Sequence, residues 1–248
     1  MINSILKKKQ KENKQSQEFS VFEKKLGINF KDKNLLVQAF CHRSYLNEHH
    51  KFFVHHNERL EFLGDAVIEL VVTEYIFMHF PSTEEGILTS WRAALVNSRM
   101  LSSKAEELNF GQYILLSRGE KKEASKKGKA YKEILANTFE AFIGALYIDA
   151  GYDICKKLLI KHLLCELKII IKKNLFKDAK SRFQEISQEK ERITPTYKVI
   201  AESGPDHDKH FVVGIYLNKD LVAKGEGYSK QEAEENAAQN ALEQKNWH

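Results

Sequence analysis

From Phe19 to about Leu175 the apolar positions recur at helical spacing, and strand-like alternation is scarce. Phe22, Leu26 and Ile28 open the pattern, and Leu35, Leu36, Ala39 and Phe40 carry it onto a second helix. Leu60, Leu63, Val67, Leu70 and Val71 follow the steps of three and four that give a helix one apolar face. Pro81 ends that helix, because proline cannot continue the hydrogen-bond ladder. Thr89–Leu108, Glu133–Asp149 and Ile154–Ile171 predict further helices, the last with a seam of Leu158, Leu159, Leu163, Leu164 and Leu167. Residues 19–171 therefore read as an all-α domain.

The pattern changes near Lys172–Lys180, a short polar stretch that reads as a linker. A helix is predicted around Ser181–Gln188, followed by strands at Thr196–Ala201, Phe211–Leu217 and Asp220–Lys224 with β-branched and aromatic content. Asn218-Lys219 suits a tight hairpin turn. Gln231–Leu242, rich in Ala and Glu, is a helix with Ser229 as N-cap and Glu232 completing a capping box. The order α-β-β-β-α over residues 181–246 predicts a two-layer α+β domain, with helices on one face of an antiparallel sheet. The chain is thus expected to be multidomain, all-α then α+β.

Composition narrows the class. The 248 residues are 42% hydrophobic and 29% charged, enough apolar content for packed cores. Three Pro and twelve Gly exclude a collagen-like or Pro-rich protein. No apolar run is long enough to span a membrane, and Met1–Gln17 lacks the features of a signal peptide. Cys41, Cys155 and Cys165 form no CxxC pair, which disfavours a disulfide scaffold or zinc knuckle and fits a reducing compartment.

The formal charge of +5 permits nucleic-acid binding without demonstrating it. Its distribution says more. Residues 1–18, which read as a disordered polar tail, carry net +3. Arg118–Lys132, with one Arg and six Lys against two Glu, carries net +5. Residues 178–248 carry net −3. The segment 118–132 reads equally as a solvated loop or as a phosphate contact.

The sharpest chemical feature is acidic. At 100° per residue, Glu58, Glu61 and Asp65 fall on one helix face. Clustered carboxylates repel unless a cation sits among them. Asn137 and Glu140 share one face of a strongly apolar helix. Two helices offering oxygen ligands, without a His or Cys cluster, suit a hard cation such as Mg²⁺ or Mn²⁺. Such a cation supports phosphodiester hydrolysis. Spacing alone does not bring the two helices together.

Glu58-Arg59-Leu60-Glu61-Phe62-Leu63-Gly64-Asp65 closely resembles the signature of the ribonuclease III family, the double-strand-specific RNA endonucleases. Phe40-Cys41-His42-Arg43-Ser44-Tyr45, Glu84-Glu85-Gly86, Arg92-Ala93-Ala94-Leu95-Val96 and Leu135 through Asp149 agree with it, and the C-terminal unit resembles a double-stranded-RNA-binding domain. The resemblance covers about Phe19 to Gln244 in the order of the simple bacterial form.

It implies that Glu61, Asp65, Asn137 and Glu140 take the metal positions, with Asp65 and Glu140 catalytic. Glu58 and Glu85 match further cleft acids, while Glu69 matches no catalytic position. Phe62 matches the aromatic that inserts into the partner of a homodimer. The implied cofactor is Mg²⁺, with Mn²⁺ able to substitute and no small-molecule cofactor. Gln184, Glu185, Pro205, His207, Ser229 and Lys230 are the implied contacts to double-stranded RNA. Products with 5′-phosphate and 3′-hydroxyl ends, ribosomal-RNA and messenger-RNA processing, and a cytoplasmic location complete what it implies. The sequence departs from the pattern twice. Asn137 stands where the family usually has Asp, so one ligand supplies no negative charge. Lys230 is followed by Gln231 where consecutive basic residues are common.

Two function classes remain open on these residues: a metal-dependent duplex-RNA endonuclease, and a catalytically weak protein that binds and protects duplex RNA. A DNA-binding regulator is weaker, since no helix-turn-helix or basic recognition helix is evident.

Overall fold

The computed structural model describes residues 19–172, 179–205 and 209–247. The basic tail 1–18, the linker centre 173–178 and the expected RNA contact His207 lie outside the described residues. Contacts divide the chain after Ile169 into two compact units.

The first unit is helical. Helix α1 covers residues 19–26, followed by α2 (Lys33–Ala39), α3 (Arg43–Glu48), α4 (Glu58–His79), α5 (Glu85–Val96), α6 (Ser98–Glu107), α7 (Arg118–Ala124), α8 (Lys129–Ala150), α9 (Tyr152–His162) and α10 (Leu167–Lys172). The longest, α4 and α8, have 22 residues each and pack directly on one another. Their crossing is a backbone contact. A Cβ on Gly64 would overlap the Glu140 carbonyl oxygen, and one on Gly144 would overlap the Leu60 carbonyl oxygen. Only glycine permits that approach. Around α8 the core is aromatic: Phe22, Phe40, Phe110 and Phe142 are fully buried, with every pair of ring centroids within 6.2 Å. Such edge-on packing adds to the burial of large apolar area.

Three expectations for this unit need correction. Thr89–Leu108 is two helices, broken at Asn97, whose extended backbone (φ −72°, ψ 156°) interrupts the ladder. Its side-chain oxygen accepts from the Met100 N–H at 2.9 Å and caps α6, the position asparagine favours. Ile154–Ile171 is likewise divided by a 3₁₀ turn at Leu164–Glu166. The segment 118–132 is no loop: Ser117 caps α7 through Glu120 N–H at 3.2 Å, and α8 already begins at Lys129. Gly151, at φ +80°, closes α8, a left-handed conformation that glycine adopts freely.

The second unit runs α11 (Ala179–Glu191), β1 (Thr196–Ser203), β2 (His210–Leu217), β3 (Asp220–Gly227) and α12 (Lys230–Gln244). The strands pair antiparallel in the order β1-β2-β3, and the Asn218 turn has φ +56°. Lys172, Ala179 and Lys180, expected in the linker, are helical. Phe183, Ile215, Leu217, Ala237, Ala241 and Trp247 form the core between sheet and helices. The strand β3 runs past its expected end at Lys224 because Gly225 is a packing position. A Cβ there would overlap the Ala237 backbone nitrogen, so α12 lies flat on β3. Ser229 caps α12 through Glu232 N–H at 3.1 Å. The reciprocal bond differs from the expected box: Glu232 accepts from Tyr228 N–H at 2.9 Å, one residue before the cap.

The α4–α8 contact sets a stability test. Gly144→Ala is expected to destabilise the first unit by about 2–3 kcal/mol, as overpacking does. Gly86→Ala, where a Cβ meets nothing within 4 Å, is expected to change stability by less than about 0.5 kcal/mol. Urea unfolding of both variants checks the difference.

Candidate active site

The crossing of α4 and α8 gathers the acids. Glu61 and Asp65 flank Gly64 on α4, while Asn137 and Glu140 lie on α8 two turns and one turn before Gly144. Burial pushes the Glu140 carboxyl up to about 7, with the Asp65 and Glu61 charges adding to the effect. Burial also raises Glu61, reinforced by Glu58, Asp65 and Glu133. The Asp65 charge acts on both Glu61 and Glu140, which places the three acids in one electrostatic cluster. Among the described residues none of the three has a cationic partner.

An open cleft of about 250 Å³ runs beside them, lined by Glu58, Glu61 and Asn137 together with His42, Glu120 and Glu133. Glu58 is partly compensated, lying 3.5 Å from the Arg43 guanidinium and 3.7 Å from His56 Nδ1. Glu120 and Glu133 were not singled out in the sequence. For Glu133 the signal exists, since Glu133, Asn137 and Glu140 follow i, i+4, i+7 spacing. Glu120 is hidden among six lysines. Glu85 stands apart from this cleft, exposed at the start of α5 and accepting from Thr89 Oγ1 at 2.9 Å. Phe62 is 83% exposed, an apolar ring projecting from α4 into solvent.

Among the described residues, no three His, Cys, Asp or Glu side chains are gathered closely enough to hold a metal ion as they stand. The donor set nevertheless suits a hard cation. It consists of carboxylate and amide oxygens on two rigid helices, and a cation offsets the repulsion that raises Glu61 and Glu140. A larger hollow of about 560 Å³ is lined by Tyr45, His49, Arg118 and Lys121. Its single carboxylate, Glu48, already accepts from the Arg118 N–H at 3.1 Å.

In the second unit, Gln184 and Glu185 are exposed on α11, and Pro205 is exposed after Gly204, whose φ is +90°. Ser229 and Lys230 open α12, with Lys230 Nζ 5.8 Å above the Phe211 ring.

Fold and site together define a nuclease domain followed by an RNA-binding unit. A family model described as Ribonuclease-III-like matches residues 32–167, and one described as Double-stranded RNA binding motif matches residues 179–245. Ribonuclease 3 of Sulfurovum sp. is 42% identical over 227 residues, covering 91% of this chain and 97% of that protein. Ribonuclease 3 of Geobacillus thermodenitrificans is 44% identical, covering 93% of this chain and 92% of that one. The nuclease domain of ribonuclease III from Campylobacter jejuni is 41% identical over 56% of this chain and 92% of that chain, with a TM-score of 0.51. The chain belongs to the ribonuclease III family of double-stranded-RNA endoribonucleases.

The raised Glu140 carboxyl has a thermodynamic consequence. Its folded pKa, about 7, lies above the ordinary 4.5, so the folded state binds the proton more tightly. Its contribution to stability is fully present below about pH 4.5 and is lost as pH rises through 7. In metal-free buffer at pH 8, Glu140→Gln is therefore expected to be more stable than wild type, by on the order of 1–3 kcal/mol after solvent screening. The gap is expected to close at pH 4, as thermal unfolding at the two pH values reads directly.

Proposed function

We propose that this chain is a Mg²⁺-dependent endoribonuclease that hydrolyses both strands of duplex RNA as a homodimer, in processing of ribosomal-RNA precursors and messenger RNA in the cytoplasm. The observation that carries the metal dependence is the uncompensated cluster of Glu61, Asp65 and Glu140 at the helix crossing. No described helix is long and apolar enough to cross a membrane.

In this reading Glu61, Asp65, Asn137 and Glu140 hold the metal, with Mn²⁺ able to replace Mg²⁺. A metal held there would supply an activated water and would stabilise charge on the phosphoryl group. The protein contributes position. Asp65 and Glu140 sit on helices locked by backbone contact, so their carboxylates are fixed relative to the scissile phosphate. Water's oxygen bonds to phosphorus as the bond from phosphorus to the 3′ oxygen breaks, leaving 5′-phosphate and 3′-hydroxyl ends. Glu58, paired with Arg43, shapes the cleft wall, and Glu85, which stands apart from that cleft, has no part in it. Phe62 inserts into the second copy, which accounts for so large an exposed ring.

Nuclease function is assigned to residues 19–171 and duplex binding to the unit that begins with α11. An A-form duplex is read through its minor groove and phosphates. Gln184 and Glu185 meet one minor groove, Pro205 and His207 the next, and Ser229 with Lys230 faces the phosphates between.

The test is a Mg²⁺ titration of labelled duplex-RNA cleavage. Wild type is expected to cleave, and Glu140→Gln is expected to lose at least about 10³-fold in rate while still binding RNA. Binding without cleavage by wild type would instead identify a duplex-RNA-binding protein with little catalysis. Restoring a charged ligand separates the two further. Asn137→Asp is expected to keep cleavage and to lower the half-saturating Mg²⁺ by about 10-fold, and a large loss of rate would contradict the ligand assignment.

A further inference from the structure

His42 belongs to a signature segment whose role the metal site does not account for. As the N-cap of α3 it takes the Ser44 backbone N–H on Nδ1 at 3.3 Å, with Ser44 Oγ 2.8 Å from the same nitrogen. The Ser117 N–H donates to that Ser44 Oγ at 3.2 Å, which leaves the hydroxyl hydrogen to point at Nδ1. A backbone N–H can only donate. Nδ1 is therefore an acceptor, and the hydrogen of the neutral ring sits on Nε2. Burial lowers the ring's pKa and favours that neutral form, against the Glu120 and Glu58 charges that raise it. Nε2 has no hydrogen-bond partner among the described residues.

The ring lines the acidic cleft. The carboxylates of that cleft accept hydrogen bonds and repel an anion, whereas an RNA phosphate needs donors. Asn57 is buried, 3% exposed, and one hydrogen of its amide already donates to the Ala39 carbonyl at 3.2 Å, so it is poorly placed to meet a strand in the cleft. The Arg43 guanidinium faces Glu58 at 3.5 Å. Among the cleft's neutral side chains, His42 and Asn137 remain as donors. A neutral N–H suits this place better than a charge, because an imidazolium would be drawn to Glu58 or Glu120.

We propose that His42 is a substrate-contacting residue whose Nε2–H donates to a phosphate oxygen of the RNA strand entering the acidic cleft. This rests on the endoribonuclease reading above. Capping and contact use opposite edges of one ring, so α3 geometry aims the donor.

The two edges can be separated by substitution. His42→Asn keeps an acceptor at the Nδ1 position and remains a good N-cap, but places nothing at Nε2. His42→Gln places an amide N–H near the Nε2 position and gives up the cap. With the full chain, the expected result is that His42→Asn melts like wild type yet loses about 10- to 100-fold in kcat/KM on duplex RNA, the worth of one hydrogen bond to a charged group. His42→Gln is expected to melt lower and to recover most of that loss. Duplex binding in EDTA, read by gel shift, is expected to weaken in His42→Asn by a similar factor. Wild-type activity and binding in His42→Asn, or losses that follow only the melting temperature in both variants, would overturn the contact. If wild type itself fails to cleave, the endoribonuclease reading falls, and the binding comparison still decides the role of His42.

Discussion

The first unit depends on one contact, the backbone crossing of α4 and α8 at Gly64 and Gly144. Apolar side chains on either side, Leu60, Val67 and Val71 on α4 with Leu135, Phe139 and Phe142 on α8, provide the burial that drives it. The glycines decide only how close the helices come. That closeness is also what makes the site. The atom that a Gly64 side chain would strike is the carbonyl of Glu140 itself. The spacing that packs the domain therefore sets Asp65 beside Glu140. Any larger residue at the crossing would part the acids along with the core, so stability and site geometry are one constraint.

Several other acids in this unit are compensated, which sets the crossing apart. The buried Glu23 accepts from Lys33 Nζ at 2.6 Å and from Phe30 N–H at 2.7 Å. Tyr152 and Lys156 hold Glu74 below the usual carboxylate range. Glu107 and Glu166 flank the buried Lys104, and Asp149 takes the Lys31 and Asp32 N–H groups at 2.8 Å each. Against that background, Glu61 and Glu140 shift the other way, raised by burial and by neighbouring carboxylates, Asp65 among them in both cases. Structural acids in a folded domain gain partners, whereas acids kept for a ligand hold their repulsion until the ligand arrives. The site is a place where the fold leaves charge unresolved, on helices too tightly packed to relax.

Much of this was legible in the sequence, where local rules agree with the tertiary outcome. The apolar stripe of α4, the acidic face of Glu58, Glu61 and Asp65, and the shared face of Asn137 and Glu140 follow from helical periodicity. The Ser229 cap follows from residue type. What escaped was set by single polar groups or by distant contacts. Periodicity runs straight through Asn97, and only its capping bond breaks the helix there. Arg118–Ala124 looks like a charged loop because its helix has no buried residue to mark it; Ser117 and Glu48 secure it instead. Glu120 could not be assigned to the cleft by spacing, since α7 and α8 meet only in the fold. Gly225 reads as a strand breaker until α12 is seen lying against it.

The second unit poses the opposite problem to the first. A unit of net −3 must hold a polyanion, and several of its lysines are already engaged. Lys180 pairs with Glu234 at 2.6 Å, Lys245 with Glu191 at 2.7 Å, and Lys198 sits 5.2 Å above the Tyr216 ring. The capping bonds of α12 also occupy Ser229 Oγ and the Glu232 carboxylate, so neither is free of the helix end that it stabilises. Lys230 likewise sits over a ring, that of Phe211, but it does so at the exposed start of α12. Electrostatic attraction over a broad face would be weak on such a surface. Recognition must come from shape, with a few groups spaced to fit successive grooves and a sheet that keeps them at fixed separation. That makes the rigidity of the Gly225–Ala237 packing as relevant to RNA affinity as any lysine, because a helix that shifted on β3 would carry with it Lys230, the phosphate contact proposed above.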